Sequence, residues 1–297
     1  MRNRHWRLEN DSRSATTRGI SLRLAYQGEP GAYSEAAALV FGGADAETLP
    51  CRTFDEVFEA VVKGHVTHGI VPLENSIGGT IHRNYDLLLD HEQLAITGEV
   101  QLDVVHCLQA LPGTKISDIT IVYSHPQALA QCERYLRGLG VTVEAVYDTA
   151  GGAKLVAEQK LAGAAALASR RAASVFGLEV LQEAVQDYEF NITRFAIIGG
   201  ATQPDANKTT IVFALPSTPG ALFKALSVFA LRDINLSKLE SRPFRGRPWE
   251  YLFYVEVDAK SDDLACARAL THLGEFATWM RVLGTYKGWL RPAVGGT

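Results

Sequence analysis

Five short stretches place hydroxyl, amide and charged side chains beside glycines or at the ends of apolar runs. They are Gly28 to Ser34 in GEPGAYS, Glu74 to Thr80 in ENSIGGT, Ser124 to Gln127 in SHPQ, Asp148 to Gly152 in DTAGG, and Asn191 to Phe195 in NITRF. A glycine-rich turn from strand to helix exposes backbone N–H groups, and the helix that follows adds partial positive charge. Each such turn is therefore a ready site for a carboxylate or phosphate. Taken singly, Ser34, Ser76 and Thr149 also read as plain helix caps. Five together point to one anionic ligand held between strand ends. The last stretch also spells Asn191-Ile192-Thr193, a glycosylation sequon. That reading is disfavoured, because the Arg- and Ser-rich start carries no apolar segment of a secretory signal. Glu9 and Asp11 count against a transit peptide.

Other chemistries find little support. GEPGAY matches neither the dinucleotide fingerprint nor the phosphate loop, so no nucleotide is expected. The chain has no G-x-S-x-G and no H-E-x-x-H, and His65, His68, His82, His91, His106 and His125 show no zinc spacing. His125 alone lies in a suspected site loop, where a structural and a catalytic role are both open. Cys51, Cys107, Cys132 and Cys266 are far apart and form no C-x-x-C pair, which predicts buried or incidental thiols in a reducing, cytoplasmic compartment. No zinc site is expected from these spacings. A net charge of −4 gives no field to attract nucleic acid or an anionic membrane, so local donors must bind any anion.

The elements that must carry these ends are legible in the pattern. The alternating LRLAYQG, the glycine and proline break, and the alanine-rich AYSEAAALVF form a strand, loop and helix. FDEVFEAVVKG is helical to Gly64 and HGIVPLEN returns to strand, completing a βαβ unit with ligand loops at the carboxyl ends of parallel strands. A second series follows: strand TIVYSHP, helix QALAQCERYLRGLG, strand VTVEAVYDTAGGA running into a glycine turn, helix GGAKLVAEQ, strand AGAAALAS and helix RRAASVFGL. Beyond the polar GGATQPDANK the order is β-α-β-β-α-β, a ferredoxin-like sandwich. At 297 residues and 47% hydrophobic composition the chain has ample core and predicts about two domains.

The run AYQGEPGAYSEAAA, PLENSIGGTIHRNYDLLL, SHPQALAQC, DTAGGAK and NITRF, followed by GALFKALSVFALRDINLSKLESRP, resembles the prephenate dehydratase and arogenate dehydratase family from about Arg23 to Tyr286. The resemblance implies an α/β fold: a two-lobed catalytic region like a type 2 periplasmic binding protein, plus a C-terminal ferredoxin-like ACT domain. The expected parts are a polar N-terminal extension over 1–20 and a catalytic domain over 21–200. Its lobe 1 takes about 21–100 and 182–200, and its lobe 2 about 101–181. A linker over 201–208 and a regulatory domain over 209–290 complete the chain. Twenty polar residues are too few for the chorismate mutase bundle of some relatives, so one activity is expected.

The resemblance further implies loss of water and carbon dioxide from prephenate to give phenylpyruvate, or from arogenate to give phenylalanine, with Thr193 as the essential residue and with no metal and no cofactor. Asn191, Arg194 and Phe195 stand beside it, Arg194 either pairing with a substrate carboxylate or bracing the lobe interface. Glu74, Asn75, Ser76, Gly78, Gly79 and Thr80 form the second contact segment. Glu74 either has its pKa raised, so that it donates a proton, or braces its turn. Tyr33, Ser34, Ser124, Gln127 and Thr149 are the remaining expected substrate contacts. Phenylalanine is the implied feedback effector, at a site where two ACT domains meet, with Gly220, Ala221, Leu222, Asn235, Leu236, Glu240, Ser241, Arg242 and Pro243. That site implies a homodimer or homotetramer. A non-catalytic amino-acid sensor is the competing class, and retention of Thr193 favours the enzyme.

Overall fold

The computed structural model describes residues 22–201 and 205–289. The expected extension over 1–20 lies outside the described residues, as do residues 202–204 of the expected linker.

The chain begins with β1 (Arg23–Gln27), α1 (Tyr33–Gly42), β2 (Glu47–Cys51), α2 (Phe54–Val62), β3 (His68–Asn75), β4 (Gly79–Thr80), α3 (His82–Asp90) and β5 (Ile96–Asp103). It then crosses into β6 (Cys107–Ala110), β7 (Ile121–Ser124), α4 (Pro126–Gln131), α5 (Glu133–Leu139), β8 (Thr142–Ala145), α6 (Thr149–Glu158), β9 (Ala164–Ala168), α7 (Arg170–Phe176) and β10 (Glu179–Gln182). It returns as β11 (Ile192–Ile198) and continues through β12 (Lys208–Ala214), α8 (Ala221–Ala230), β13 (Leu236–Pro243), β14 (Tyr251–Val257), α9 (Leu264–Phe276) and β15 (Trp279–Tyr286).

The first and last parts share a ten-stranded sheet in the order β13-β14-β12-β15-β5-β11-β3-β1-β2, with β4 on β3, and the middle part forms a five-stranded sheet, β10-β6-β9-β7-β8. The two lobes are thus joined by two crossings, β5 to β6 and β10 to β11. Strand order β13-β14-β12-β15 with two helices on one face is the ferredoxin-like sandwich expected of the C-terminal part.

Local chemistry explains the elements next to the cleft. Helix α2 starts where Thr53 accepts the Glu56 N–H, and its apolar spacing buries Val57 and Phe58. Each of those side chains contributes about 1.5–3 kcal/mol of burial. Strand β11 is buried along almost its whole length because β3 and β5 flank it, antiparallel on both sides. Its period-2 alternation sends Phe195 and Ile197 into one core and Ala196 and Ile198 into the core shared with the C-terminal domain.

Two expectations are corrected. The helix expected from Gln127 onward is interrupted at Cys132, whose φ of −117° and ψ of 19° leave the helical region, giving α4 and α5. Gly151 and Gly152 do not form a turn: they lie in the first turns of α6, where a Cβ on Gly152 would stand 3.1 Å from the Tyr123 carbonyl oxygen. The glycine lets α6 lie close on β7.

Candidate active site

Asn75, at the end of β3, and Thr193, on β11, face each other across the ladder, and the next pair along it is Glu74 with Arg194. Alternation puts these pairs on opposite faces of the sheet. Thr193 and Phe195 line a cavity of about 160 Å³ between the lobes, together with Tyr33, Asn75, His106 and Gln131. It shares Tyr33, Ser34, His125, Gln127 and Thr149 with an outer cavity of about 500 Å³ that reaches Arg52 and Asp148. All five polar strand ends therefore contribute a side chain to one cleft.

The amide orientations in the inner cavity follow from the backbone. Asn75 Oδ1 accepts the N–H groups of Ile77 at 3.1 Å and Gly78 at 2.8 Å, which leaves its Nδ2 to donate to Asn191 Oδ1 at 2.7 Å and Thr193 Oγ1 at 2.9 Å. Gln131 then presents Nε2 to Asn75 Oδ1, and its Oε1 accepts from Asn191 Nδ2 at 2.9 Å. His106 Nε2, 2.9 Å from that same oxygen, must carry a proton, so the Nδ1 lone pair faces the Tyr33 hydroxyl at 3.1 Å. Burial holds the His106 imidazole below its ordinary range, partly opposed by the bond to Gln131, so the ring is neutral. Burial also drives the Tyr33 phenol far above its ordinary range, and its one O–H proton is offered either to the Val105 carbonyl at 2.7 Å or to His106 Nδ1.

The inner wall is built of neutral hydroxyls, amides and imidazoles. Positive potential comes from helix ends. Tyr33 and Ser34 open α1, whose N-cap, Ala32, has no capping side chain, and Thr149 opens α6. The uncapped first-turn N–H groups of α1 complement a carboxylate, whereas the α6 N-terminus is already capped by the Asp148 carboxylate, which accepts the Ala150 N–H at 2.8 Å. Arg52 stands at the outer cavity. Burial raises the Asp148 carboxyl, although the Glu29 and Ala150 amides that it accepts pull the other way.

Several expected contacts lie elsewhere. Arg194 is turned to the far face of the sheet by alternation, where it meets Glu256 at 2.6 Å, Glu74 at 2.9 Å and Glu99 at 3.1 Å. It is not a substrate contact here. Glu74 is paired with Lys238 at 3.0 Å as well; burial pushes its carboxyl up, but Lys238 and Arg194 outweigh this and hold it below the ordinary range. Of the two readings of Glu74, the ion pairs support the bracing one and not the raised, proton-donating one. Thr80 donates to Glu240 at 2.6 Å on the same far face. Ser124 is fully buried and ties β7 to the Leu167 carbonyl of β9 at 2.6 Å. Ser76 ties the turn after β3 to the start of β11 by accepting the Ile192 N–H, and Asn191 stands behind the cavity wall as the link between Asn75 and Gln131. A Cβ on Gly78 would overlap the end of the Gln127 side chain, while Gly79 adopts φ +76° with open space around it.

His106 and Gln131 are absent from the expected set. Gln131 follows Gln127 by one helical turn on α4, the same-face spacing that could have revealed it. His106 sits just before an apolar strand and carries no motif.

In the C-terminal domain, Ala221 and Leu222 line a cavity of about 470 Å³ with Trp249, Tyr251 and Phe253. Gly220, at φ +77°, supplies the left-handed turn that starts α8. Glu240 and Arg242 point away from it: Glu240 faces Thr80 and His82, and Arg242 binds Asp86 at 2.8 Å. Asn235 is held by Asp258 at 2.6 Å, Leu236 packs beside the domain core, and Ser241 and Pro243 are exposed on β13. All four cysteines are free and buried. Among the described residues no cluster of His, Cys, Asp or Glu fits a metal ion, and no helix is long and apolar enough to cross a membrane.

The model of the family Prephenate dehydratase matches residues 24–203, more than half of the chain. The chain belongs to the prephenate dehydratase family. The ACT domain model matches residues 209–271 behind it. Arogenate dehydratase/prephenate dehydratase 2, chloroplastic, from Arabidopsis thaliana is 50% identical over 93% of this chain and 76% of its own length. A prephenate dehydratase from Arthrobacter aurescens, solved in complex with L-Phe, superposes with a TM-score of 0.81 at 32% identity, covering 90% of each chain. A protein described as GqqA, a novel type of quorum quenching acylase, superposes with a TM-score of 0.82 at 35% identity over 90% of this chain and 98% of its own. Family members are lyases, and the two-lobed α/β fold with its C-terminal ACT domain is shared with them. The expected cytoplasmic location is corrected by Arabidopsis thaliana relatives whose names read chloroplastic.

Proposed function

We propose that this chain is a prephenate dehydratase, releasing water and carbon dioxide from prephenate to give phenylpyruvate. The observation that carries the reading is the bond from Asn75 Nδ2 to Thr193 Oγ1. Because Oγ1 accepts from Asn75, the threonine proton is free to donate into the cavity. In the reaction the ring carboxylate leaves as carbon dioxide, its electron pair enters the ring, and the C–O bond on the opposite side breaks. Thr193 hydrogen-bonds the departing hydroxyl oxygen as negative charge grows on it, a positioned donor in place of a titrating acid, and that oxygen takes from solvent the proton with which it leaves as water. The uncapped α1 N-terminus, with Arg52 at the outer cavity, provides positive potential for the substrate's carboxylates.

Arogenate is the second reading, favoured by the Arabidopsis thaliana relative, whose name carries both substrates. An acylase like the one that shares the fold would need a base on its nucleophile. Thr193 Oγ1 instead meets an amide donor, and His106 is engaged by Gln131 and Tyr33.

The cavity beside Ala221 and Leu222 is the region we assign to phenylalanine as effector, and a homodimer or homotetramer would complete it. The deciding experiment is turnover of purified protein on prephenate and arogenate in parallel, with phenylpyruvate and phenylalanine separated by chromatography. Phenylpyruvate as the main product supports the first reading, phenylalanine the second, and neither product removes both.

A further inference from the structure

The far face of the sheet carries a second constellation that a dehydration site does not by itself require. Arg194 Nη1 lies 2.6 Å from Glu256 and 3.1 Å from Glu99, and its Nη2 lies 2.9 Å from Glu74. Lys208 reaches Glu99 at 3.1 Å, and Lys238 reaches Glu74 at 3.0 Å. Glu256 and Glu99 are almost wholly buried. The cluster draws Glu74, Glu99 and Arg194 from the catalytic lobe, and Lys208, Lys238 and Glu256 from the C-terminal domain.

Its position in the ladder gives it a consequence. Arg194 and Glu74 pair across β11 and β3, and the adjoining pair is Thr193 with Asn75. The ladder shifts register immediately afterwards, between Arg194 and Phe195. The other edge of β11 keeps unbroken register with β5 through Phe195, so the bulge loosens only the pairing of β11 with β3, and the side-chain clamp ties those two strands together there. We propose that Arg194 is a positioning residue, and that the C-terminal domain, through Glu256 and Lys238, holds Thr193 and Asn75 in working register. On this view the catalytic lobes alone form an incomplete site. The proposal rests on the dehydratase reading for its activity arm only.

Glu256→Gln keeps the side chain's shape and removes its charge. In the full chain kcat is expected to fall about tenfold or more with KM within about twofold, the signature of lost transition-state alignment. Deuterium uptake over residues 191–195 should rise while uptake in α8 and α9 stays as in the wild type. Lys238→Met should act in the same direction by a smaller factor and takes over if Glu256→Gln does not fold. Arg194→Lys should recover part of the kcat that Arg194→Met loses. Wild-type kcat and unchanged uptake in the folded charge-removing variants would overturn the proposal. A wild-type protein that turns over neither substrate would defeat the functional reading alone, and the uptake comparison would still decide the positioning role.

Discussion

Thr193 Oγ1 accepts a 2.9 Å hydrogen bond from Asn75 Nδ2, and the Asn75 carboxamide is itself fixed by the Ile77 and Gly78 amides. The threonine proton is thereby committed to the cavity. Thr193→Ala should lower kcat by about 10²–10³, the usual loss for one positioned donor. Thr193→Ser, which keeps the hydroxyl, should stay within about tenfold of wild type, and Thr193→Val should resemble the alanine variant. Steady-state kinetics on the preferred substrate checks the series, and full activity in Thr193→Val would remove the donor role.

Gly31 and Gly78 should answer an added methyl differently. At Gly31, φ +91°, a Cβ would stand 2.6 Å from the Ala172 backbone, which cannot move aside. Gly31→Ala should cost about 1–3 kcal/mol from overpacking, besides the backbone strain. At Gly78 the methyl meets only the end of the Gln127 side chain. Gly78→Ala should leave denaturation midpoints nearly unchanged and raise KM by swinging Gln127 within the cleft. Urea titrations and KM for the two variants provide the comparison.

Acid should weaken the fold in two windows. Burial holds the imidazoles of His68, His106 and His125 below their ordinary 6.5. The unfolded chain therefore binds more protons than the folded one just below that pH. Their contribution is complete above about pH 6.5 and is lost as the pH falls toward the depressed folded values. Glu74 and Glu99 are held below 4.5 because their cationic partners outweigh burial, so their contribution is present above that pH and lost as the pH falls through the folded values. Asp148, raised by burial, runs in the opposite direction and offsets a part. Melting temperature should decline below pH 6.5 and again below 4.5, and His106→Gln should flatten the first decline. A melting temperature that rises on acidification through both windows would contradict these assignments.

Phenylalanine should raise the melting temperature by mass action, by the equivalent of about 2.7 kcal/mol at a hundred times its Kd. Leu222 lines the C-terminal cavity, so Leu222→Ala should weaken phenylalanine binding about tenfold, the loss of roughly one buried aliphatic contact. Calorimetric titration reads this directly, and unchanged affinity would move the effector site elsewhere.

Local pattern made most of this fold legible. The two α/β series and the β-α-β-β-α-β tail follow from periodicity and glycine punctuation, and the five polar strand ends do meet at one cleft. The choice between the two readings of Arg194 could have been made in physical terms. A strand through Thr193, Arg194 and Phe195 must send the middle side chain to the opposite face, and Glu74 beside Asn75 obeys the same rule. The insertion of β11 between β3 and β5 was harder to read, because those pairings join segments about a hundred residues apart and leave no local signature. His106 was equally silent, since a histidine beside an apolar run looks the same whether it fills space or orients an amide. The ion cluster between the domains is a property of two surfaces meeting, and its members gave no sign of one another in the sequence.

The return of β11 into the first sheet also sets an order of assembly. Asn75 receives its partner 118 residues later in the chain. During synthesis the first lobe emerges with a gap where its central strand belongs, and at ribosomal speed that gap stays open for roughly 6–24 s. The apolar flanks of β3 and β5 are exposed to other chains throughout that interval. A chaperone or the ribosome surface that shields these two strands would raise the yield of native protein without touching the finished molecule.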